Sequence, residues 1–235
     1  MSSHRLSSIA AIALLGIVAS AGAQAQTANA SATTWQAGTN YFVIDPPQPT
    51  HSGDKIEVTE VFSYGCPACN ASYPFVDALK KALPPNAVMD YVPASFNPSE
   101  DWVVFQRAYF TAKALGIAEK SHEAMFDAIW KTHDLAIYDP TTNRIKPNLP
   151  TIEDMAKFYA SYGVKPATFV ATANSFAINT KMKQADAYIK ACGVEQTPTI
   201  IVNGKYRLTT PSAGGSWPKA QELVLYLVAK ESAAK

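Results

Sequence analysis

Hydrophobic and polar positions change their period once, abruptly, in the first third of the chain. Over residues 55–62 a period of two puts Ile56, Val58, Glu60 and Phe62 on one face, and the β-prone Val58, Val61 and Phe62 favour a strand. Beyond residue 70, Ala71, Phe75, Ala78, Leu79 and Ala82 recur at helical spacing. The junction between the two patterns is Cys66-Pro67-Ala68-Cys69. Pro67 suits a first helical position, where its missing N–H would have had no partner and its fixed φ fits, so Cys66 is predicted to be the N-cap.

The same pattern divides the rest of the chain. Residues 41–44 form a short β candidate stopped by Asp45, Pro46, Pro47 and Pro49, and residues 88–92 a strand ended by Pro93. The spacing is then helical to about residue 190. Ser99 is predicted to cap a helix with Glu100 and Asp101 in its first turn and a stripe of Trp102, Phe105, Tyr109, Ala112 and Leu115. His122, Met125, Phe126, Ile129 and Trp130 make a second stripe, whose aromatics and Met125 are core, while His122 and His133 read as surface or capping residues. Residues 133–150 are loop, interrupted by Pro140, Pro147 and Pro150. Thr151 with Asp154 resembles a capping box ahead of Met155, Phe158, Tyr159 and Tyr162, and Gly163 suits a C-cap. One long helix is expected from there to about Ala191, with Met182, Ala185, Ile189 and Cys192 on its apolar side. Residues 200–202 and 205–208, joined by Asn203-Gly204, read as a hairpin with a type I′ turn. Pro198 cannot donate a ladder bond, so it leaves that edge free. A last helix carries Trp217, Ala220, Leu223, Val224, Leu227 and Val228 on one face.

Composition narrows the class. With 235 residues, 48% of them apolar and 17% charged, the chain can bury a sizeable core. A net charge of +1 argues against nucleic acid as a partner. His4 and Arg5 precede an apolar run over residues 9–21, and Ala23-Gln24-Ala25 matches a small-x-small cleavage site, so residues 1–25 read as a secretory signal peptide cleaved near Ala25. Residues 27–34 are a small, polar lead-in. No later segment offers the ~20 apolar residues of a membrane span. The mature protein, residues 26–235, is expected to be exported and soluble, in an oxidising compartment where a cysteine pair can cycle.

A sulfur at an N-cap faces the unpaired N–H groups of Ala68 and Cys69 and the positive end of the helix dipole, so its thiolate is favoured. Cys69, one turn further in, is placed to attack Cys66 when Cys66 is bonded to a substrate sulfur. Glu60 puts a carboxylate among apolar side chains just before the cysteines, which makes it a candidate proton-transfer group, against the plainer reading of an acid paired or turned to solvent. Zinc would require a second pair of ligands, and only Cys192, His51, His122 and His133 remain, without ligand-like spacing. A c-type haem would require His after Cys69, where Asn70 stands. A purely structural disulfide would close a loop too short to stabilise much. Cys192 leaves an odd thiol, read as a buried small hydrophobe.

Strand, Cys-Pro-x-Cys helix, inserted helices, Thr197-Pro198 before an Asn-Gly hairpin and a terminal helix together resemble a thioredoxin-like α/β fold with a helical insertion at about residues 98–190. More narrowly, residues 60–69 and 194–208 look like the DsbA family of bacterial periplasmic thiol:disulfide oxidoreductases. The resemblance implies that Cys66 is the nucleophile, Cys69 the buried resolving thiol, and Thr197-Pro198 a cis peptide beside them. Pro67, Ala68, Thr197 and Pro198 are then the positions expected to meet substrate. It implies a protein disulfide oxidase, monomeric and periplasmic, that needs no cofactor or metal and oxidises reduced, newly secreted polypeptides. A quinone-linked membrane oxidase would reoxidise it. A disulfide isomerase or reductase of the same fold, or a non-catalytic exported binding protein, are the alternatives. Two departures from the family stand out. Pro67-Ala68 replaces the family's best-known Pro-His dipeptide, and Asp90 aligns where the family can carry a lysine facing the buried acid, which would set two carboxylates, Glu60 and Asp90, against each other.

Overall fold

The computed structural model describes residues 34–234, so the expected signal peptide and nearly all of the polar lead-in lie outside the described residues. A five-stranded sheet in the order β1-β5-β4-β2-β3 is formed by β1 (Phe42–Val43), β2 (Ile56–Phe62), β3 (Ala87–Pro93), β4 (Thr199–Val202) and β5 (Tyr206–Leu208). β2 runs parallel to β3 and antiparallel to β4, and all seven of its residues are buried because it has a hydrogen-bonded strand on each side. Helix α1 (Pro67–Ala82) links the parallel pair. α2 (Trp102–Ala114), α3 (Ala118–Trp130), α4 (Ile152–Ala160), α5 (Pro166–Ala173) and α6 (Phe176–Ala191) follow, and α7 (Trp217–Ala233) closes the chain.

The alternation along β2 feeds separate cores. Ile56 and Val58 pack with Leu79 of α1 and with Leu223, Val224 and Leu227 of α7. Val61, on the opposite face, packs with Ile189, Cys192, Val194 and Ile201. Phe62 leads into the third and largest core, where Tyr64, Cys66 and Cys69 meet Trp102, Phe105 and Tyr109 of α2, Phe126 and Ile129 of α3, and Met155 and Tyr159 of α4. The helical segment between β3 and β4 therefore lies against the cysteine end of β2.

Three local expectations are corrected. Ser99 caps nothing; its hydroxyl bonds Asn97 Oδ1 at 2.6 Å in a short 3₁₀ turn, and α2 starts after Asp101, which stands at φ 65°. The single long helix expected up to Ala191 is two helices: the first closes at Asn174, and the Ser175 hydroxyl caps the second by accepting from Ile178 N at 3.3 Å. His122, expected at the surface or at a cap, is buried in the middle of α3. The capping box of Thr151 and Asp154 is present with both of its bonds.

The turn that returns β4 to β5 is held from both sides. Asn203 and Gly204 take φ 53° and 64°, the type I′ geometry expected for this pair. The buried carboxylate of Glu231 on α7 accepts from Asn203 Nδ2 at 2.7 Å, Lys205 Nζ at 2.6 Å and Tyr206 Oη at 3.1 Å. From the other side Gln48 N donates to the Gly204 carbonyl at 2.9 Å, so closely that a Cβ on Gly204 would stand 2.0 Å from the Gln48 carbonyl oxygen. Gly38 also has a positive φ, 80°, but nothing lies within 4 Å of its missing Cβ. Gly38→Ala should therefore cost only the left-handed backbone penalty, about 1 kcal/mol. Gly204→Ala adds a backbone collision and should cost about 3 kcal/mol or more. Denaturant midpoints of the two variants check the order, and equal losses would contradict it.

Candidate active site

Cys66 is the N-cap of α1, at φ −87° and ψ 118°, and Pro67 begins the helix. Its sulfur accepts from Cys69 N at 3.4 Å. Sγ also lies 3.5 Å from the carbonyl oxygen of Thr197, 131 residues away in sequence. The Thr197–Pro198 peptide is cis, as is Asp45–Pro46. Pro67 and Ala68 are exposed, Thr197 and Pro198 half-buried, while Cys66 is 5% exposed and Cys69 fully buried. The structure thus gathers Cys66, Cys69, Thr197 and Pro198 where a parallel strand, a helix N-terminus and the start of β4 meet. All three cysteines are free thiols.

Similar thiols, three residues apart, are driven in opposite directions. The Cys66 thiol is lowered from an ordinary 9.0 to about 6, first because the Cys69 thiol hydrogen-bonds to it. Burial works against the lowering, while the Thr197 side chain and the N–H groups of Cys69 and Ala68 reinforce it. The Thr197 carbonyl can serve only the protonated thiol, so the donors outweigh it. Each unit of lowering favours the thiolate by about 1.4 kcal/mol. Cys69 is pushed up, by burial first and then by donating to Cys66, with the charge of Glu60 adding to the effect.

Glu60 is 3% exposed, and burial, followed by the charge of Cys66, raises its carboxyl from 4.5 to about 8. A carboxyl this far from water keeps its proton near neutral pH. The expected partner of Glu60 does not face it. The parallel register pairs Thr59 with Asp90 and Glu60 with Tyr91, so Tyr91 shares the face of Glu60 and Asp90 points to the other. Asp90 is bound there by Lys113 Nζ at 2.6 Å, in a partly exposed ion pair. The site holds one buried carboxyl, ringed by Tyr64, Tyr91 and Tyr109, each of which feels its charge.

His122 is the residue the sequence reading misplaced. Its Nδ1 lies 2.8 Å from Tyr64 Oη, its ring packs against Phe62, Tyr91 and Phe126, and burial holds it neutral by lowering it to about 3. The signal was available, since His122 stands at i, i+3, i+4 and i+7 with Met125, Phe126 and Ile129. Cys192, 2% exposed, sits at the C-terminal end of α6, and burial pushes its thiol up to about 11. Among the described residues no three His, Cys, Asp or Glu side chains gather as a metal site would require.

Comparison with known proteins adds a consistent picture. A family model described as Thioredoxin matches residues 52–216. Over 205 residues the chain is 37% identical to the thiol:disulfide interchange protein DsbA of Pseudomonas aeruginosa, covering 87% of this chain and 90% of that one. Over 198 residues it is 32% identical to the protein of the same name from Azotobacter vinelandii, covering 84% and 85%. Among solved structures, that of Pseudomonas aeruginosa DsbA superposes with a TM-score of 0.72 at 36% identity, covering 85% and 96% of the two chains. The oxidoreductase DsbA from Xylella fastidiosa gives 0.71 at 34%, covering 82% and 95%.

Two outcomes follow from the burial of these groups. An acid raised from 4.5 to about 8 holds a proton in the folded state that the unfolded chain has lost, so wild-type stability falls as pH rises through that window and levels off above it. Glu60→Gln removes this slope: the variant should gain on wild type from pH 4.5 upward, with the full difference reached above pH 8. Parallel melting curves of the two proteins would read it, and a pH-independent difference would refute it. Cys192 should resist alkylation in the folded protein, and Cys192→Ala should keep full exchange activity; rapid labelling of Cys192 without denaturant would contradict its burial.

Proposed function

This chain belongs to the DsbA family of thiol:disulfide oxidoreductases, and on that premise we propose that Cys66 is its nucleophilic sulfur, Cys69 its resolving thiol and Glu60 the proton carrier between Cys69 and solvent. The observation that carries this reading is the opposite displacement of the two thiols within one helical turn. In the oxidised protein a substrate thiolate attacks Cys66 Sγ and the Cys66–Cys69 bond breaks. Cys69 leaves as a thiolate and, being the more basic sulfur, takes a proton, which protonated Glu60 can supply. A second substrate thiolate then attacks the substrate sulfur of the mixed disulfide, and Cys66 leaves as a thiolate stabilised at the helix N-terminus. Two electrons pass from the substrate dithiol to the protein, and the substrate departs with a disulfide.

The direction follows from the same asymmetry. Stabilising the Cys66 thiolate stabilises the reduced protein, which makes the oxidised protein a strong oxidant, as in DsbA itself. This favours disulfide donation over isomerase or reductase work. Exposed Pro67 and Ala68, with half-buried Thr197 and Pro198 across from them, offer surface on which an extended substrate segment could lie beside Cys66. Reduced polypeptides newly exported to the periplasm are the proposed substrates, with a quinone-linked membrane oxidase as the reoxidising partner. The signal peptide read over residues 1–25 supports that location.

Cys69→Ser should accumulate mixed disulfides with exported polypeptides through Cys66, and Cys66→Ser should trap almost none, as non-reducing electrophoresis would display; the reverse pattern would exchange the two roles. The pH dependence carries its own sign. Between about pH 6 and 9 Cys66 is ionised while an ordinary thiol is not, so equilibrium with glutathione should favour the reduced protein increasingly across that range and be flat below it. An equilibrium independent of pH from 5 to 9 would remove the depressed thiolate from the mechanism.

A further inference from the structure

Residues 63–65 form the turn between β2 and α1, and three contacts grip it from one side. Tyr64 Oη lies 2.8 Å from His122 Nδ1. Trp130 donates its indole N–H to the Tyr64 carbonyl at 2.8 Å. Gly65 is pressed so closely that a Cβ would stand 2.8 Å from Trp102 Nε1 and 2.9 Å from Ile137 Cδ1. All four gripping residues belong to the segment between β3 and β4. Tyr64 is 1% exposed and His122 6%, and His122 Nε2 is buried without a protein partner, which leaves the Tyr64 bond to orient the ring.

The gripped turn serves both thiols. Cys66 N donates to the Ser63 carbonyl at 3.1 Å, and Gly65 N to Ser63 Oγ at 3.2 Å. The backbone N–H of Ser63 is a donor toward Cys69. The carbonyl that Trp130 holds belongs to the peptide leading into Gly65 and Cys66, so any rotation there breaks the Gly65–Ser63 bond and disturbs the backbone that aims Cys66 at its N-cap. Apolar side chains could fill the same volume. Directed bonds to both the hydroxyl and the carbonyl of one residue constrain orientation, which packing alone does not.

We infer that His122 and Trp130 are positioning residues for the thiol pair: helix α3, acting through Tyr64, holds the turn at residues 63–65 in the geometry that places Cys66 at its N-cap and Ser63 against Cys69. The inference rests on Cys66 being the reactive thiol. The hydrogen bonds of His122 and Trp130 go to Tyr64 and not to either sulfur, so their directional influence is carried by the turn.

The test uses the full reduced chain, with thiolate absorbance near 240 nm titrated against pH and the equilibrium with glutathione measured alongside. Trp130→Phe removes the N–H donor but keeps an aromatic ring. Tyr64→Phe combined with His122→Phe removes both polar partners together, so that neither is left buried and alone. Both variants should raise the Cys66 pKa by about half a unit and shift the glutathione equilibrium about threefold toward the oxidised protein. Ile129→Val, a cavity on the same helix, should lower the melting temperature and move neither quantity. If Trp130→Phe and the double variant titrate and equilibrate like wild type, with only their melting temperatures changed, the positioning role is overturned; should the double variant not fold, Trp130→Phe alone decides. An ordinary thiol pKa for Cys66 in the wild type would instead overturn the reading on which this one rests.

Discussion

A sulfur in place of an oxygen at a helix N-cap is the interaction on which the rest of this molecule depends. The N-cap position asks for an acceptor, because the first N–H groups of a helix have no partner within it. Serine or aspartate would meet that need and do nothing more. Cys66 meets it better as a thiolate than as a thiol, so the ordinary demand of a helix end becomes a bias toward ionisation. Pro67 sharpens the arrangement by starting the helix directly after the sulfur.

The second thiol obtains the opposite bias chiefly from depth. Cys69 lies one turn inside the same helix, fully buried in the core that α2, α3 and α4 build against the end of β2. Its hydrogen bond to Cys66 lowers one thiol and raises the other, so a single contact separates their acidities. The same lack of water keeps the proton on Glu60. The resting state is one buried carboxyl with its proton on. Two facing carboxylates would have pushed still harder on each other, but the β2–β3 register sends Asp90 to Lys113 on the far side of the sheet.

What the sequence by itself determined is what short-range backbone geometry controls. The missing N–H of Pro67 marked the helix start and made Cys66 the cap; Asn203-Gly204 dictated a turn with two positive φ values; Thr151 and Asp154 announced their capping box. Each depends on atoms within four residues. The periods of two and 3.6 likewise identified β2 and most helix stripes, since burial of a face is written into spacing. Where two local signals competed, reading along the chain failed: the Asn174-Ser175 break divides what was expected to be one helix, and Asp101 displaced Ser99 at the start of α2.

Only the tertiary structure decided the relations between distant segments. Parallel strands joined through a helix carry no turn to set their register, so one residue of offset placed Tyr91 beside Glu60 instead of Asp90. His122 shares its spacing with a buried stripe, yet a polar residue there could as well have faced water; Tyr64, 58 residues earlier, supplies the partner that makes its burial tolerable. The Thr197 carbonyl reaches Cys66 across 131 residues because antiparallel pairing sets β4 beside β2, and no pattern within either segment encodes that distance.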